Sequence, residues 1–343
     1  MRKRSVRWAS IAAAVAVLTT AAYATASGAT GDAEDRPTRP RIITAHRFAR
    51  LQGPPPPGAL EPVPEGPTFD RNGDLSFVTV YGDENGNKVF KLDMATRQVT
   101  PIYGDATSVF TGLDIHQDGR LFLADFGGER IVAMQPDGTG VETVVSGGFG
   151  ELPLFPDDLV FGSDGDLYFT DMTGEPTHPT GRVFRRTATG ELVLLAENLA
   201  FPNGISLTDD EARLWISEHL AHRILTIGLD ADGNTAQRPF GADIGVTANT
   251  AGPGRPDSSA VDVDGNLYQA FWPGAHVVVF SPEGAVIARV ELPARDREQF
   301  HGTTNVVVQP GTRDAFLTAG GPGGAMLFRF GALAAGPVPF AQR

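Results

Sequence analysis

LVFGSDGDLYFTD, residues 159–171, carries the decisive pattern. An apolar run, Leu159-Val160-Phe161, meets a polar turn at Asp164-Gly165. A second run, Leu167 to Thr170, is rich in aromatic side chains. Two such runs joined across Asp-Gly read as an antiparallel hairpin. The pattern recurs in TFDRNGDLSFVTV, LDIHQDGRLFLAD, ISLTDDEARLWISE, AVDVDGNLYQAF and VVVQPGTRDAFLTA. Taking Gly73, Gly119, Gly165, Glu211, Gly265 and Arg313 as turn positions, the intervals are 46, 46, 46, 54 and 48 residues.

Each unit continues into a third apolar segment: NKVFKLD, RIVAMQP, GRVFRRT, RILTIGL, HVVVFSP and AMLFRFG. Most add a fourth, as in VETVVS or ELVLLAEN. Four short strands per unit of about 40–50 residues describe a propeller blade. The fold class expected is all-β, a six-bladed β-propeller of four-stranded antiparallel blades. Two stacked β-domains are the alternative. The sixth unit stops near Phe330 with three strands. RIITAHRFARL, residues 41–51, is expected to supply the missing strand and close the ring, which removes exposed edges.

Eight positions before each turn stand Glu65, Thr111, Asp157, Asn203, Asp257 and Asn305, all polar. Each is expected just before the first strand of its blade, the strand that lines the central channel. One mouth of the channel then collects oxygen-bearing side chains. Carboxylates gathered there repel one another unless a cation joins them. Three carboxylates with an amide oxygen suit Ca2+, which takes about 6–8 oxygen ligands. Zn2+ prefers His and Cys; His219 and His222 in SEHLAHR have no third ligand nearby. On spacing alone, plain capping of strand starts by polar residues explains the ring equally well.

Residues 1–26 have the three zones of an export signal. Arg2, Lys3, Arg4 and Arg7 precede the apolar stretch Ile11 to Leu18, and small-x-small sites follow at Ala22-Tyr23-Ala24 and Ala24-Thr25-Ala26. The apolar stretch is shorter than the roughly 20 residues of a membrane span. Cleavage, and a secreted or extracytoplasmic protein with no membrane attachment, is expected; an uncleaved N-terminal anchor is the alternative. Residues 27–40 read as a solvated linker, and 41–343 as the propeller. The net charge of −13 argues against a nucleic-acid partner, which requires a basic face. The absence of cysteine excludes disulfides and thiolate metal sites. No feature of the sequence specifies an oligomeric state.

The words EGPTFDRNG, PDDLVFGSDGDLYFTD, PNGISLTDDEARLWISE and GPGRPDSSAVDVDGNLY resemble, in order, the signatures of the senescence marker protein / gluconolactonase / luciferin-regenerating enzyme-like family. The resemblance covers roughly residues 60–330. It is strongest to the family's bacterial drug-responsive calcium lactonase branch, which shares the DDLVF and PDS words. The resemblance implies a six-bladed propeller, one Ca2+ on its axis, and hydrolysis of a small-molecule lactone or related ester. It implies metal ligands at Glu65, Asp157, Asn203 and Asp257, a further contact at Ser258, and Asp257 as catalytic acid or base. A second, structural Ca2+ found in some relatives is not expected. LADFGGERIVAMQ lacks the loop that helps hold it, and GGFGELPLF offers few oxygens besides Glu151. Phosphotriester hydrolysis on the same ion, a non-catalytic binding module and a metal-independent glycosidase are the rivals. Phe126, Tyr168, Phe201 and Trp272 are candidates for pocket walls, or for packing between blades. Thr111, His301 and Asn305 are candidates for the mouth. Asp171 and Glu218, ending second strands, are expected to be solvated or loop-bonding.

Overall fold

The alternation in each unit resolves, in a computed structural model, into one sheet per unit. The structure describes residues 39–147 and 153–342. The export segment, most of the linker and Glu151 lie outside the described residues. Among the described residues no helix is long and apolar enough to cross a membrane.

Six sheets of at least four strands follow one another in chain order. Their innermost strands are Pro64–Phe69, Phe110–Ile115, Pro156–Phe161, Pro202–Leu207, Arg255–Val261 and Gly302–Val308. We number the blades 1 to 6 from these strands. Period two gives each strand two faces, and each face packs on a different neighbour. In blade 3, Leu167 and Phe169 lie with Phe122 and Ile131 of blade 2. Tyr168, between them in sequence, lies with Ile205 and Leu214 of blade 4. Six such apolar seams run round the ring; the last joins Phe69 and Phe77 of blade 1 to Phe316 and Leu327 of blade 6. At roughly 25 cal/mol per Å² of apolar surface removed from water, these seams are the main force holding blade to blade. Tyr168 is therefore a packing residue, not a pocket wall.

The expected turns are present. Gly73, Gly119, Gly165 and Gly265 adopt φ of 82°, 92°, 88° and 78°, a region costly for residues with a Cβ. Blade 4 uses Glu211 there at φ 55°. Its longer repeat reflects the small insertion Gln237–Arg238 and Gly241–Ala242 ahead of the outer strand Ile244–Asn249.

Ring closure follows the expectation, with an addition. His46–Gln52 pairs antiparallel with Gly324–Gly331 as the fourth strand of blade 6. Arg41–Thr44 turns to blade 5 and pairs parallel with Val286–Glu291 as a fifth strand. RIITAHRFARL thus forms two strands on two blades. Arg47 fastens the join by donating to Asp296 Oδ1 at 2.9 Å through Nε. The C-terminal segment crosses the turn-side end of the channel. Phe340 packs against His116 and Phe161 at 5.0 and 5.4 Å between ring centroids. Arg71 Nε donates to Ala341 O at 2.7 Å.

Candidate functional site

The polar positions lie within the innermost strands, not just before them, because each of these strands carries a β-bulge there. Asp157 and Asp158 together oppose Thr170, since Pro156 pairs with Asp171 and Leu159 with Phe169. Asn203 with Gly204, and Asp257 with Ser258, repeat this in blades 4 and 5. Register shifts also occur between Glu65 and Thr68, between Phe110 and Gly112, and between Thr303 and Asn305. A bulge adds one residue to one strand and re-aims its side chains. Here it turns polar groups toward the axis within an otherwise apolar strand.

Counting from the last pair before each turn, Glu65, Thr111, Asp157, Asn203 and Asp257 hold equivalent places. Blade 6 departs from the expectation. Val308, the last residue to pair before its turn, stands five residues before Arg313, whereas the other blades have four between the last pair and the turn position. The left-handed glycine of blade 6 is Gly311, not a residue at Arg313. Thr304 therefore takes the equivalent place, and Asn305 the next one, matching Asp158. The hydrogen bonds agree: Thr304 Oγ1 donates to Pro64 O as Thr111 Oγ1 donates to Pro156 O. Glycine beside the bulge permits close packing of neighbouring strands. A Cβ on Gly112 would stand 2.5 Å from Asp157 O, and one on Gly204 2.5 Å from Ser258 Cα.

Glu65, Asp157, Asn203, Asp257 and Ser258 are all buried. Burial, then the charges of Asp257, Asp157 and Asp158, hold the Glu65 carboxyl well above the usual carboxylate range; Asn305 eases it slightly. Asp157 is raised by burial and by Asp158 and Asp257. Asp257 is raised by burial and by Asp158, against hydrogen bonds from Ser258 N–H and the Asn203 amide. Four acids from blades 1, 3 and 5 thus share one low-dielectric space. Asn305 Nδ2 reaches Glu65 Oε2 at 3.4 Å. Asn203 Oδ1 is buried and has no hydrogen-bond partner. Among the described residues, no three acidic, histidine or cysteine side chains are by themselves drawn together tightly enough to hold a metal ion. The convergence is at Coulomb range, with amide and hydroxyl oxygens interleaved. An orphaned amide oxygen amid repelling buried carboxylates is the chemistry of a donor set for a hard divalent cation, so the residues present fit one.

Asp158 was not singled out by the spacing. Its carboxyl accepts from Leu159 N at 2.9 Å and from Ile205 N of the next blade at 3.2 Å. Burial pushes it up to about 6, against a hydrogen bond from Ser258. The doubled acid in PDD was its only trace in the sequence. Below it, Asp114 accepts from Ile115 N and Phe161 N and is pushed by burial to about 7. Asp114, Asp158 and Asn305 border an axial cavity of about 180 Å³, reached by Pro337 to Phe340 of the C-terminal segment. Glu65, Asp157, Asn203 and Asp257 do not border it, so it lies on the turn side of the acidic ring.

At the other end, Phe126 packs on Phe155 at 5.2 Å, Phe201 on His219 at 6.0 Å and Trp272 on His301 at 5.8 Å. His301 pairs with Glu61 at 3.0 Å. His219 Nδ1 lies 3.0 Å from Pro256 O, beside Asp257. Since a carbonyl only accepts, Nδ1 carries the proton; burial lowers the ring to about 4, so it is neutral. Asp171 and Glu218 are loop-bonding and fully buried rather than solvated.

The molecule is a six-bladed propeller with a buried, cation-fitting acidic ring on its axis. The SMP-30/gluconolactonase/LRE-like region matches residues 63–318. The chain belongs to that family. It is 33% identical over 280 residues to lactonase drp35 of Staphylococcus aureus, spanning 79% of this chain and 84% of that protein. Among solved structures it is similar to a calcium-binding protein, regucalcin, of Agrobacterium tumefaciens, with TM-score 0.68 and 18% identity over 88% of this chain and 99% of that one. A gluconolactonase of Xanthomonas campestris gives TM-score 0.63 and 20% identity over 86% and 99%.

Proposed function

We propose that this chain is an exported, Ca2+-dependent hydrolase of lactones or related carboxylic esters. The observation that carries the reading is the acidic ring: mutually repelling, fully buried carboxylates around an unpartnered amide oxygen. Its similarity to a lactonase at 33% identity supports the substrate class. Glu65, Asp157, Asn203 and Asp257 would hold the cation, with Ser258 beside it. When bound, the cation supplies positive charge that polarises the ester carbonyl and stabilises the oxyanion of a tetrahedral intermediate.

The chain's own groups do the rest. Asp257 manages a proton at its carboxyl, activating water or protonating the leaving alkoxide. The amide of Asn203 and the N–H of Ser258 favour the ionised form of that carboxyl. Phe126, Phe201 and Trp272, packed on Phe155, His219 and His301, would screen the reacting groups from bulk water.

Calorimetric titration with Ca2+, paired with a lactone panel assayed before and after EDTA and after Ca2+ is restored, tests the proposal. Saturable binding with chelator-reversible lactone opening is expected. Turnover confined to phosphotriesters, binding without turnover of any ester, or turnover indifferent to EDTA would each overturn it.

A further inference from the structure

In three consecutive blades the second strand ends on an acid with a fully buried side chain: Asp125, Asp171 and Glu218. Each makes two bonds in common; Asp125 also accepts from Ser108 Oγ at 3.0 Å and from Gly128 N at 2.9 Å. In each, one oxygen accepts a backbone N–H from the segment leading into the innermost strand of its own blade. These are Val109 N at 3.0 Å, Phe155 N at 2.8 Å and Ala200 N at 2.6 Å. An arginine at the start of the third strand closes from the other side. Arg130 Nε stands 3.0 Å from Asp125 Oδ2 and Arg182 Nε 2.6 Å from Asp171 Oδ2, while Arg223 Nε donates to Glu218 Oε2 and its Nη2 to Oε1 at 3.0 Å. Arg182 also donates to Pro153 O at 2.8 Å, further along the same segment.

The held amides precede Thr111, Asp157 and Asn203 by two, two and three residues. A buried carboxylate needs pairing and hydrogen bonds wherever it lies. That need alone does not aim it at the same stretch of backbone three times. Blades 1, 5 and 6 carry Thr79, Phe271 and Ala319 at this position and have no such acid.

We propose that the Asp171–Arg182 and Glu218–Arg223 pairs are positioning residues for the cation site. They set the backbone from which Asp157 and Asn203 reach the axis. Asp125–Arg130 applies the same hold to Thr111, which supplies no ligand. This rests on the Ca2+ reading above. It also provides an internal control, because a purely structural role gives no reason for Ca2+ affinity to be lost at Asp171 and Glu218 and kept at Asp125.

The test is calorimetric Ca2+ affinity, with thermal melting, on the full chain. Removing the hydrogen-bonding partner that orients a ligand typically weakens metal binding by about 10–100-fold. That loss is expected for Asp171→Leu and Glu218→Leu. Glu218→Gln, which keeps an acceptor for Ala200 N–H, should stay within about threefold of wild type. Asp125→Leu should melt lower yet also stay within about threefold. Equal affinities for all variants, or an equal loss in Asp125→Leu, would overturn the proposal. If a leucine variant does not fold, Arg223→Met removes the half-exposed partner and leaves the carboxylate on Ala200 N–H. It should weaken binding several-fold, and unchanged affinity would overturn the assignment. Wild-type protein that binds no Ca2+ is a different result, and it overturns the underlying reading instead.

Discussion

Replacing Glu65 with Gln should raise stability without Ca2+ and lose or reverse that advantage with it. Glu65 is buried, and its carboxyl is raised by burial and by three neighbouring acids. Without a cation, removing its charge relieves repulsion. Gln keeps an oxygen to accept from Asn305 Nδ2, now 3.4 Å away, so no new orphan is made. A gain of about 1–3 kcal/mol at pH 8 is expected from removing a buried, opposed charge. At about 2.1 cal/mol/K per residue, a folded chain of roughly 300 residues melts about 1.6 °C higher per kcal/mol. Metal-free Glu65→Gln should therefore melt about 2–5 °C above wild type. With Ca2+ at about 1,000 times the wild-type Kd, wild type gains about 4 kcal/mol, or roughly 6–7 °C. A hundredfold weaker variant gains only about 1.4 kcal/mol under the same conditions, roughly 2 °C. Scanning calorimetry in EDTA and in Ca2+ reads both numbers. If Glu65→Gln melts lower than wild type by the same amount in both buffers, the ring merely caps strand starts and the cation reasoning is refuted.

Asp257→Asn should cut turnover of a responsive lactone by about 10²–10⁴-fold, the usual worth of acid–base catalysis, and weaken Ca2+ far less; steady-state kinetics beside calorimetry checks this, and equal losses would make Asp257 a ligand only. Asp114 is held up to about 7 by burial. Its protonated form favours folding, a contribution full below the ordinary value of 3.8 and lost as pH rises through about 7. Metal-free melting should therefore fall between pH 5 and 8, and Asp114→Asn should flatten that dependence by about 2–3 kcal/mol; an unchanged slope would remove Asp114 as its source. His219→Asn, which keeps a donor near Pro256 O, should retain most turnover. His219→Gln places its amide at the distal nitrogen and should lose about tenfold through one broken positioning bond. The reverse order in kcat would assign the role to Nε2.

Much of the architecture is local in origin and was therefore legible. Period-two alternation dictates which side chains face each neighbouring blade, and Gly73, Gly119, Gly165 and Gly265 mark turns that demand positive φ. Those turn positions carried the polar positions of blades 1 to 5, because Gly73, Gly119, Gly165, Glu211 and Gly265 each stand four residues after the last strand pair before the turn. In blade 6 Arg313 stands five residues after Val308, the last residue to pair before the turn. The count slipped there, and Thr304 rather than Asn305 takes the equivalent place.

Only the tertiary structure decided what the polar residues are close to. The repulsion among Glu65, Asp157, Asp158 and Asp257 depends on bringing blades 1, 3 and 5 together across an axis, and no run of residues encodes a distance between blades. Asp158 looked like half of a doubled acid until Ile205 of the next blade bonded to it. Asp171 and Glu218 read as solvated or loop-bonding strand ends, and only the fold chose between these by closing the loops over them. RIITAHRFARL carried strand propensity, but which edge each half joins was settled by the free edges that blades 5 and 6 offered. Backbone preference and burial pattern act within a few residues and so are written along the chain; electrostatic coupling and edge pairing act between segments that meet only when the ring closes.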